Sequence, residues 1–577
     1  MQWRYDVSGI DTVTLHFGQR IDAALVAPIH RAAIALKASL GSRLLDAVPS
    51  YTTLMLRYDL LQDDLASLMG QVSEVLSQLP DANGELDANR EPDAESEIIE
   101  VPVFYHPSVG PDLKRLAQRA GFSVEEVIRR HSERLYQVFA IGFAPGFAYL
   151  GEVVDELSVP RLANPRAKVP AGTLGIADTQ TALYPMVSPG GWNLIGRTPL
   201  TLFDQSREQL SLLEAGQTVR FRPIAKDEYL ELGGRLDDLP WSVEPGLAQQ
   251  NTPAEKQGGK VVTHSKLGLL IEKPGFLSLI QDAGRRGVMH LGLATGGAMD
   301  RHAWAWANYL LGNRFGAAAL EITFGQVEFV SQLNTSIAIT GAEVTVTVNG
   351  ASQPLWAALS LKAGDRVALS APRAGLRSYL AVAGGFSIAA GLGNSCATLH
   401  REKTGGLHRD GQPLKAGDLL PCESQLQNPP MQRQVPADWI PDYREVLILD
   451  LIMGAQVERF PASSLERFFT QPYTLSPQSD RMGARLNGPA LEVFGDRLIS
   501  EGISLGAVQV PANGLPIILL NDRQTIGGYP KLGAVTPRSL DALAQRQPGS
   551  QLQFRPVALH EAQRREKAFL IFFNKYF

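Results

Sequence analysis

The residues best suited to chemistry lie in a motif that the chain uses twice. Residues 169–185 read VPAGTLGIADTQTALYP, and residues 510–530 read VPANGLPIILLNDRQTIGGYP. A carboxylate can bind magnesium or move a proton, and a primary amide can hydrogen-bond an amide substrate. The acidic and amide side chains of the two copies are Asp178, Gln180, Asp522 and Gln524. We predict two related sites here, against the alternative that the repeat only preserves similar turns after duplication.

The second copy carries additional features that favour a ligand site. Gly527 and Gly528 permit close backbone approach, and Lys531 adds a cation. We therefore expect Asp522→Asn to abolish activity with little change in melting temperature. We expect Asp178→Asn to impair activity less.

Two glycine-rich loops of the first half could wall a pocket. The loop SPGGWNLIGRTP at 188–199 offers Trp192 for stacking and Arg197 for a bidentate bond to an anion. The alternative is a turn whose tryptophan packs into the core. The second loop, FAIGFAPGFAYL at 139–150, combines glycines with aromatic residues.

A third glycine-dense stretch, residues 279–308, contains Asp282, Arg285 and Asp300. Asp300 precedes a helical pattern, so it is either a helix N-cap or part of an anion site at the helix start. His131 lies on an apolar helix face, where a buried, hydrogen-bonded histidine is expected more often than a base. We keep both residues as candidates.

Several familiar site signatures are absent from the sequence. It has no Walker loop, no G-x-G-x-x-G after a strand, and no H-E-x-x-H or Cys/His cluster. The match to G-x-S-x-G at 502–506 is followed by strand and turn residues rather than the helix a hydrolase needs. We interpret it as a coincidence.

Composition describes an ordinary globular protein. The chain has 577 residues, 44% of them hydrophobic and 20% charged, with a net charge of −5 and two cysteines. The charge argues against nucleic-acid binding, and the cysteine count favours a reducing compartment. No basic-apolar leader or uninterrupted apolar run of about 18 residues is present. We therefore expect a cytoplasmic protein that does not enter a membrane.

The pattern of elements predicts several domains joined by polar connections. Residues 1–80 read as β-α-β-β-α, a small α+β domain, and 81–97 as an acidic linker. The later regions are rich in short strands punctuated by glycine and proline, which favours antiparallel barrels. The predicted remaining segments are a barrel at 98–224, a linker at 225–262, barrels at 263–423 and 442–557 around a connection at 424–441, and a tail at 558–577.

Long composite motifs resemble a known pair of families. The segment GFAPGFAYLG…PR…PR…VPAGTLGIADTQTALYPMVSPGGWNLIGRTP resembles allophanate hydrolase subunit 1, also described as the B subunit of 5-oxoprolinase and as a kinase inhibitor. The segments QDAGRRG…GGAMDRHAWAWANYLLGN, SDRMGARLNGP and VQVPANGLPIILLNDRQTIGGYPKLGAV resemble allophanate hydrolase subunit 2, or the C subunit of 5-oxoprolinase. Together they resemble the carboxyltransferase region of urea carboxylase. The resemblance implies a mainly β chain with α+β content, containing cyclophilin-like β-barrels after the N-terminal domain.

The resemblance implies a component of ATP-dependent 5-oxoprolinase that works with a lactam-hydrolysing A subunit to convert 5-oxoproline to glutamate. ATP with Mg²⁺ is the expected cofactor, and the metal ligands are left unknown. The expected catalytic residues are Asp522, Gln524, Asp282 and His131. The expected substrate- and nucleotide-binding residues are Arg166, Gln180, Trp192, Arg197, Arg285, Asp300, Arg481, Tyr529 and Lys531.

Two alternatives follow from the same resemblance. One is a carboxyltransferase module for urea or another amide, with biotin supplied in trans because this chain has no biotinyl-lysine motif. The other is a regulatory inhibitor of a histidine kinase. The sequence leaves open whether the chain forms a homo-oligomer and which barrel binds ATP.

Overall fold

The computed structural model describes residues 2–79, 98–241, 267–424, 433–495 and 498–574. The predicted linker at 81–97 lies outside these residues. Within them the chain is mainly β, with helices packed at the ends and faces of the sheets. The predicted fold class is confirmed.

The N-terminal domain is a four-stranded sheet in the order β1-β2-β4-β3, covered by two helices. Its elements are β1 (Arg4–Gly9), β2 (Thr12–His16), α1 (Val26–Leu40), β3 (Leu44–Ser50), β4 (Thr53–Tyr58) and α2 (Leu65–Gln78). The strand β1 was not predicted, because its sequence, RYDVSG, lacks an apolar run.

One helical stretch of this domain, Ala23–Arg43, is long and apolar enough to cross a membrane by length and composition alone. In the fold, its apolar side chains Ile29, Ala32 and Leu36 are buried in the domain core with residues of β2 and β4. This packing is what an amphipathic helix of a globular domain shows.

The second unit is a nearly closed seven-stranded barrel in the order β12-β9-β10-β7-β6-β13-β5. An isolated bridge between Phe104 and Arg197 joins its two edges. Its strands are β5 (Ile99–Val103), β6 (Leu135–Ile141), β7 (Ala148–Gly151), β9 (Thr173–Ala177), β10 (Gln180–Leu183), β12 (Asn193–Arg197) and β13 (Thr218–Pro223). A separate two-stranded sheet is formed by β8 (Arg166–Val169) and β11 (Ser188–Gly190). Two helices, α3 (Leu113–Ala120) and α4 (Val124–Ser132), cover one opening, and Ser123 caps α4 as predicted.

Part of the predicted connection at 225–262 is folded against this barrel. Helix α5 (Lys226–Glu231) buries Tyr229, and Asp238 forms an ion pair with Arg197 at 2.6 Å. Polar, Gly/Pro-rich composition predicted a linker, but these few anchoring contacts hold residues 225–241 in place. Residues 242–262 lie outside the described part of the chain.

The third unit consists of two sheets around a single core. Its strands are β14 (Gly268–Pro274), β15 (Leu277–Gln281), β16 (Ala319–Thr323), β17 (Val327–Ser331), β18 (Thr335–Glu343), β19 (Val346–Val348), β20 (Ala351–Gln353), β21 (Ala358–Leu361), β22 (Arg366–Leu369), β23 (Ala374–Val382) and β24 (Leu419–Pro421). Helix α6 (Arg301–Leu310) packs on β18 and β23. Gly312 follows it with φ of 70°, as the predicted helix end requires.

The fourth unit is a closed barrel in the order β25-β32-β29-β30-β27-β26-β33. Its strands, with the small pair β28 and β31 beside them, are β25 (Leu447–Met453), β26 (Tyr473–Leu475), β27 (Gly483–Asn487), β28 (Glu501–Gly502), β29 (Ala507–Gln509), β30 (Ile517–Leu519), β31 (Ile526–Gly527), β32 (Lys531–Val535) and β33 (Gln551–Pro556). Helices α7 (Ala462–Thr470) and α8 (Pro537–Ala544) pack against it.

The repeated sequence endings have equivalent structures. The segment RFRP forms the end of β13, which pairs in parallel with β5. The segment QFRP forms the end of β33, which pairs in parallel with β25. In both units the last strand therefore lies beside the first, which explains why the repeat spans a whole domain.

The C-terminal segment docks on the body of the protein. Helix α9 (Leu559–Asn574) buries Ala562 in the core of the N-terminal domain and Phe573 in the aromatic cluster around α6. The helix thus ties the first domain to the second half of the chain.

Candidate functional site

The two copies of the repeated motif meet at one cavity of about 380 Å³ where three units join. We call it the junction cavity. The N-terminal domain contributes Ile21 and Tyr51. The nearly closed barrel contributes Phe143, Tyr149, Arg161, Asp178, Thr179 and Gln180. The closed barrel contributes Leu498, Ile499, Ser500, Gln524, Ile526, Gly527, Gly528 and Tyr529.

The amides of both motif copies line this cavity. Gln180 begins β10, directly after the hairpin turn at Asp178, whose φ is 54°. Tyr51, from the turn between β3 and β4, donates a hydrogen bond to Gln180 Oε1 at 3.1 Å. Because that oxygen is engaged, the NH₂ group is the end of the amide that can donate to a ligand. Gln524 lines the opposite wall, just before β31.

The predicted aromatic loop at 139–150 forms a wall of the cavity. Phe143 and Tyr149 line it, and Tyr149 packs against Tyr51 with ring centroids 6.2 Å apart. Burial raises the pKa of Tyr149 to about 12, so its hydroxyl stays protonated at neutral pH. A Cβ at Gly142 would lie 2.8 Å from the Ile526 side chain. The loop therefore lies directly against the second motif copy.

Glycine is required on the other wall as well. A Cβ at Gly527 would lie 2.7 Å from Ile503 Cδ1 and 3.0 Å from Gln524 Nε2. The Gly-Gly pair thus lets the backbone pass close to the second amide. Lys531 pairs with Glu501 at 2.6 Å. Tyr529 lines the cavity and is 42% exposed.

Arg161 supplies a positive charge to the junction cavity. It lies over the Trp192 ring at 5.8 Å. Within the described residues, no carboxylate forms an ion pair with it. A guanidinium without an acidic partner beside two amides suits a ligand that carries both an amide and an anion.

Asp522 lies away from this cavity in a buried ion pair. Its two oxygens accept hydrogen bonds from Arg481 Nε at 2.9 Å and Nη2 at 3.0 Å. Arg481 also donates to Glu321 Oε1 at 2.6 Å and to the carbonyl of Gly297 at 2.8 Å. The geometry favours a structural role for Asp522 and Arg481, which join the third and fourth units.

The same network continues to Asp300. Glu321 Oε2 accepts a hydrogen bond from the Tyr379 hydroxyl at 2.8 Å, and that hydroxyl accepts one from the Asp300 backbone. Asp300 caps α6 by accepting from Ala303 N at 2.9 Å, and its other oxygen accepts from Gln545. Burial raises the pKa of Asp300 to about 6. Its geometry is that of the N-cap alternative.

The first-half candidates other than Gln180 are also engaged in the fold. Arg197 forms two bonds to Asp238 and donates to two backbone carbonyls. Arg166 pairs with Asp112 at 2.9 Å.

The two ring side chains among these candidates are buried. Trp192 is 5% exposed and lies among aromatic residues. His131 is fully buried between Tyr105 and Thr181, and burial lowers its pKa to about 3.

Asp282 and Arg285 lie in a separate buried region. Asp282 accepts hydrogen bonds from Gly284 N, Ser395 Oγ and Cys396 N at 2.7–2.8 Å. Arg285 donates to the carbonyl of Ala397 and to Thr404 Oγ1. The neutral donors around Asp282 fix a loop. They leave little reason to expect proton transfer there.

The structure thus places Asp178, Gln180, Gln524 and Tyr529 together and the other predicted site residues elsewhere. Sequence reasoning missed Tyr51, Arg161 and Ser500. None of them belongs to a repeated motif, and Tyr51 comes from another domain. Within the described ranges no group of three or more His, Cys, Asp or Glu side chains could hold a metal ion.

Comparison with known proteins gives matches over both halves. Residues 3–213 match the carboxyltransferase domain, subdomains C and D, and residues 291–556 match the carboxyltransferase domain, subdomains A and B. The chain is 38% identical to the C subunit of 5-oxoprolinase from Escherichia coli K12 over 51% of this chain and 93% of the relative. It is 34% identical to the B subunit of 5-oxoprolinase from Bacillus subtilis over 40% of this chain and 97% of the relative.

More distant similarity extends to a larger enzyme. The urea amidolyase of Saccharomyces cerevisiae is 29% identical over 50% of this chain and 16% of its own length. Among solved structures, the crystal structure of TTHA0988 superimposes with a TM-score of 0.78 and 32% identity. The match covers 94% of this chain and 99% of that one.

Proposed function

This chain belongs to the carboxyltransferase-domain family that includes the B and C subunits of 5-oxoprolinase, and we propose that it is the combined B and C component of such an enzyme. It is a component of an enzyme, as its relatives are. The proposed reaction is ATP-dependent opening of 5-oxoproline to glutamate in the cytoplasm, together with a lactam-hydrolysing A subunit.

The observation that carries this proposal is the junction cavity. The B-type barrel supplies Gln180 and the C-type barrel supplies Gln524, so one cavity is completed only when both units are present. Its volume of about 380 Å³ suits a small molecule. Two amides can pair with the N–H and C=O of a lactam, and Arg161 can bind its carboxylate.

In the proposed reaction, ATP phosphorylates the lactam oxygen and makes the ring carbon electrophilic. A first water then adds to that carbon and the C–N bond breaks, which gives glutamate phosphorylated on its side-chain carboxyl group. A second water hydrolyses this acyl phosphate, so that glutamate, phosphate and the ADP formed in the first step leave. This chain would position the lactam and stabilise the developing charge. ATP and Mg²⁺ remain part of the proposal. The Arg197 and Arg481 guanidiniums predicted to bind phosphate are paired with acids.

Reconstitution with the A subunit tests the proposal. The purified chain and its partner should release phosphate and glutamate only when ATP and 5-oxoproline are both present. Gln524→Ala should lower coupled turnover about 10²-fold, since a lost transition-state hydrogen bond costs that order. Gln118→Ala, on the exposed face of α3, is the matched control and should match the wild type. No coupled turnover with a competent partner would reject the proposal.

A second candidate function follows from the urea amidolyase similarity. The carboxyltransferase fold would then transfer a carboxyl group from a separate biotinylated carrier to urea or a related amide. Labelled bicarbonate should reach the amide in the presence of that carrier and its carboxylase. Transfer without any lactam opening would favour this function over the first.

A further inference from the structure

A second cavity, of about 250 Å³, lies where the N-terminal domain, the third unit and α9 meet. We call it the arginine cavity, because four arginines line it. They are Arg57, Arg285, Arg286 and Arg301, and the acids beside them include Asp11 and Glu566. The functional site described above uses none of these side chains.

Two of the four cations are compensated within the fold. Arg57 Nε donates to Asp11 at 3.0 Å, and Arg57 also contacts Asp46 at 3.5 Å. Arg301 pairs with Glu566 of α9 at 2.8 Å. These pairs hold the cavity walls together and fix the positions of both guanidiniums.

The other two cations are not fully compensated. The exposed side chain of Arg286 forms no ion pair or hydrogen bond within the described residues. Asp59 also lines the cavity, but its oxygens accept from Leu61 N and Gln62 Nε2. Arg285 is 1% exposed, and the nearest carboxylate oxygen to its Nη1, on Glu402, is 3.9 Å away.

Like charges crowd Arg286. Partial desolvation against the cavity walls is the largest cause that lowers the pKa of Arg286. Arg57 and Arg301 lower this pKa further, and Asp59 and Asp46 oppose them. Separately, Arg285 Nε and Nη1 have no hydrogen-bond partner in the described part of the chain. An arrangement of this kind is stabilised when an anion enters, because its charge offsets the mutual repulsion of the guanidiniums.

The second motif copy connects this cavity to the first. Asn521 lines the arginine cavity, and Gln524, three residues later, lines the junction cavity. The buried Asp522–Arg481 pair fixes the segment between them. One short segment therefore lines both cavities.

We propose that the arginine cavity is a binding site for a phosphate-class oxyanion, with Arg286 as the principal contact. Guanidinium groups bind such oxyanions through paired N–H donors. The anion can come from free phosphate or from the phosphoryl chain of a nucleotide. This proposal goes beyond the enzymatic one, since binding needs neither the A subunit nor turnover.

Calorimetric titration of the full chain tests the site, with sodium phosphate, ATP and adenosine as separate probes. We expect phosphate or ATP to bind in a salt-sensitive manner and adenosine alone not to bind. Arg286→Ala should weaken that binding at least about tenfold, and Arg286→Lys should weaken it less. Arg314→Ala, an exposed arginine outside this cavity, should bind as the wild type does.

The two anion sources give different results. Tighter binding of ATP than of phosphate, lost in Arg286→Ala, supports the phosphoryl chain of a nucleotide. Equal binding supports free phosphate. The proposal is overturned if neither anion binds, or if Arg286→Ala binds both as tightly as the wild type while its melting temperature is unchanged.

Discussion

Arg161 is the cation of the junction cavity, and its role can be tested through substrate chemistry. Arg161→Ala should raise the KM for 5-oxoproline about 10²-fold, because a charge-assisted bond to the carboxylate is worth about 1.5–3 kcal/mol. Steady-state kinetics with the A subunit measures this. Lys168→Ala, an exposed cation on β8, is the control and should leave KM unchanged. An unchanged KM in Arg161→Ala would show that Arg161 does not bind the carboxylate of the substrate.

Asp522 gives a second test at the residue scale. The sequence led to the expectation that Asp522→Asn abolishes activity and spares stability. Its bidentate bond to buried Arg481 predicts instead a loss of about 3 kcal/mol in unfolding free energy, since removing one member of a buried ion pair leaves the other unsatisfied. Chemical denaturation measures the loss. If Asp522→Asn has normal stability but no turnover, Asp522 acts in catalysis rather than in folding.

The same comparison has a matched control in the first motif copy. Asp178 is exposed at the junction cavity, where an interaction of its carboxylate is screened by solvent. Asp178→Asn should therefore change unfolding free energy by less than about 1 kcal/mol. A similar loss in both variants would show that the two carboxylates have equivalent structural roles.

At the scale of elements, the packing of α9 joins the N-terminal domain to the second half of the chain. Phe573 is 4% exposed and packs against Trp306 and Tyr309 of α6. Phe573→Ala should cost about 3–5 kcal/mol of stability, the usual range for a buried phenylalanine. Phe276→Ala, at a residue 76% exposed, should cost little. Equal melting temperatures for the two variants would contradict the docking.

The equivalent barrels are a further property at this scale. In each, a parallel pair of first and last strands completes the barrel. The hairpin of the first motif copy and the longer turn of the second then present Gln180 and Gln524 toward one cavity. The two copies of the motif thus line one cavity from two different barrels.

At the scale of the whole molecule, buried carboxyls make stability depend on pH. Burial raises the pKa of Glu402 to about 7, and Glu402 Oε1 accepts a hydrogen bond from Ala294 N at 2.7 Å. The folded state holds this proton more tightly than the unfolded state. The stabilisation is therefore complete below the unfolded pKa of about 4.3 and is lost as pH rises through about 7.

Glu402→Gln isolates this contribution. The difference in unfolding free energy between the variant and the wild type should change by about 3 kcal/mol in the variant's favour between pH 4 and pH 8. Denaturation of both proteins at each pH measures it, and the comparison cancels the titration of all other groups. A difference that stays constant with pH would show that Glu402 is ionised throughout.

The sequence by itself determined the class of fold and the repeated barrel, and it predicted the motif whose residues line the junction cavity. Alternating apolar residues, turn-forming glycines and prolines, and an acidic connection are local signals, because strand and turn preferences act over a few residues. The N-terminal helices and the start of α6 were predicted for the same reason. The aromatic loop at 139–150 was also recognised from its composition.

Only the tertiary structure decided which polar residues of the motif face the cavity. Arg481 pairs with Asp522 and with Glu321, and Glu321 lies 160 residues away in the chain. No local pattern reveals such a pair, so the residue pattern predicted ligand contacts for Asp522 and Arg481 rather than an ion pair between them. Tyr51 and Arg161 join Gln180 and Gln524 only through the packing of three units. The walls of a cavity come from segments that are distant in sequence. The tertiary fold therefore determines which side chains share a site.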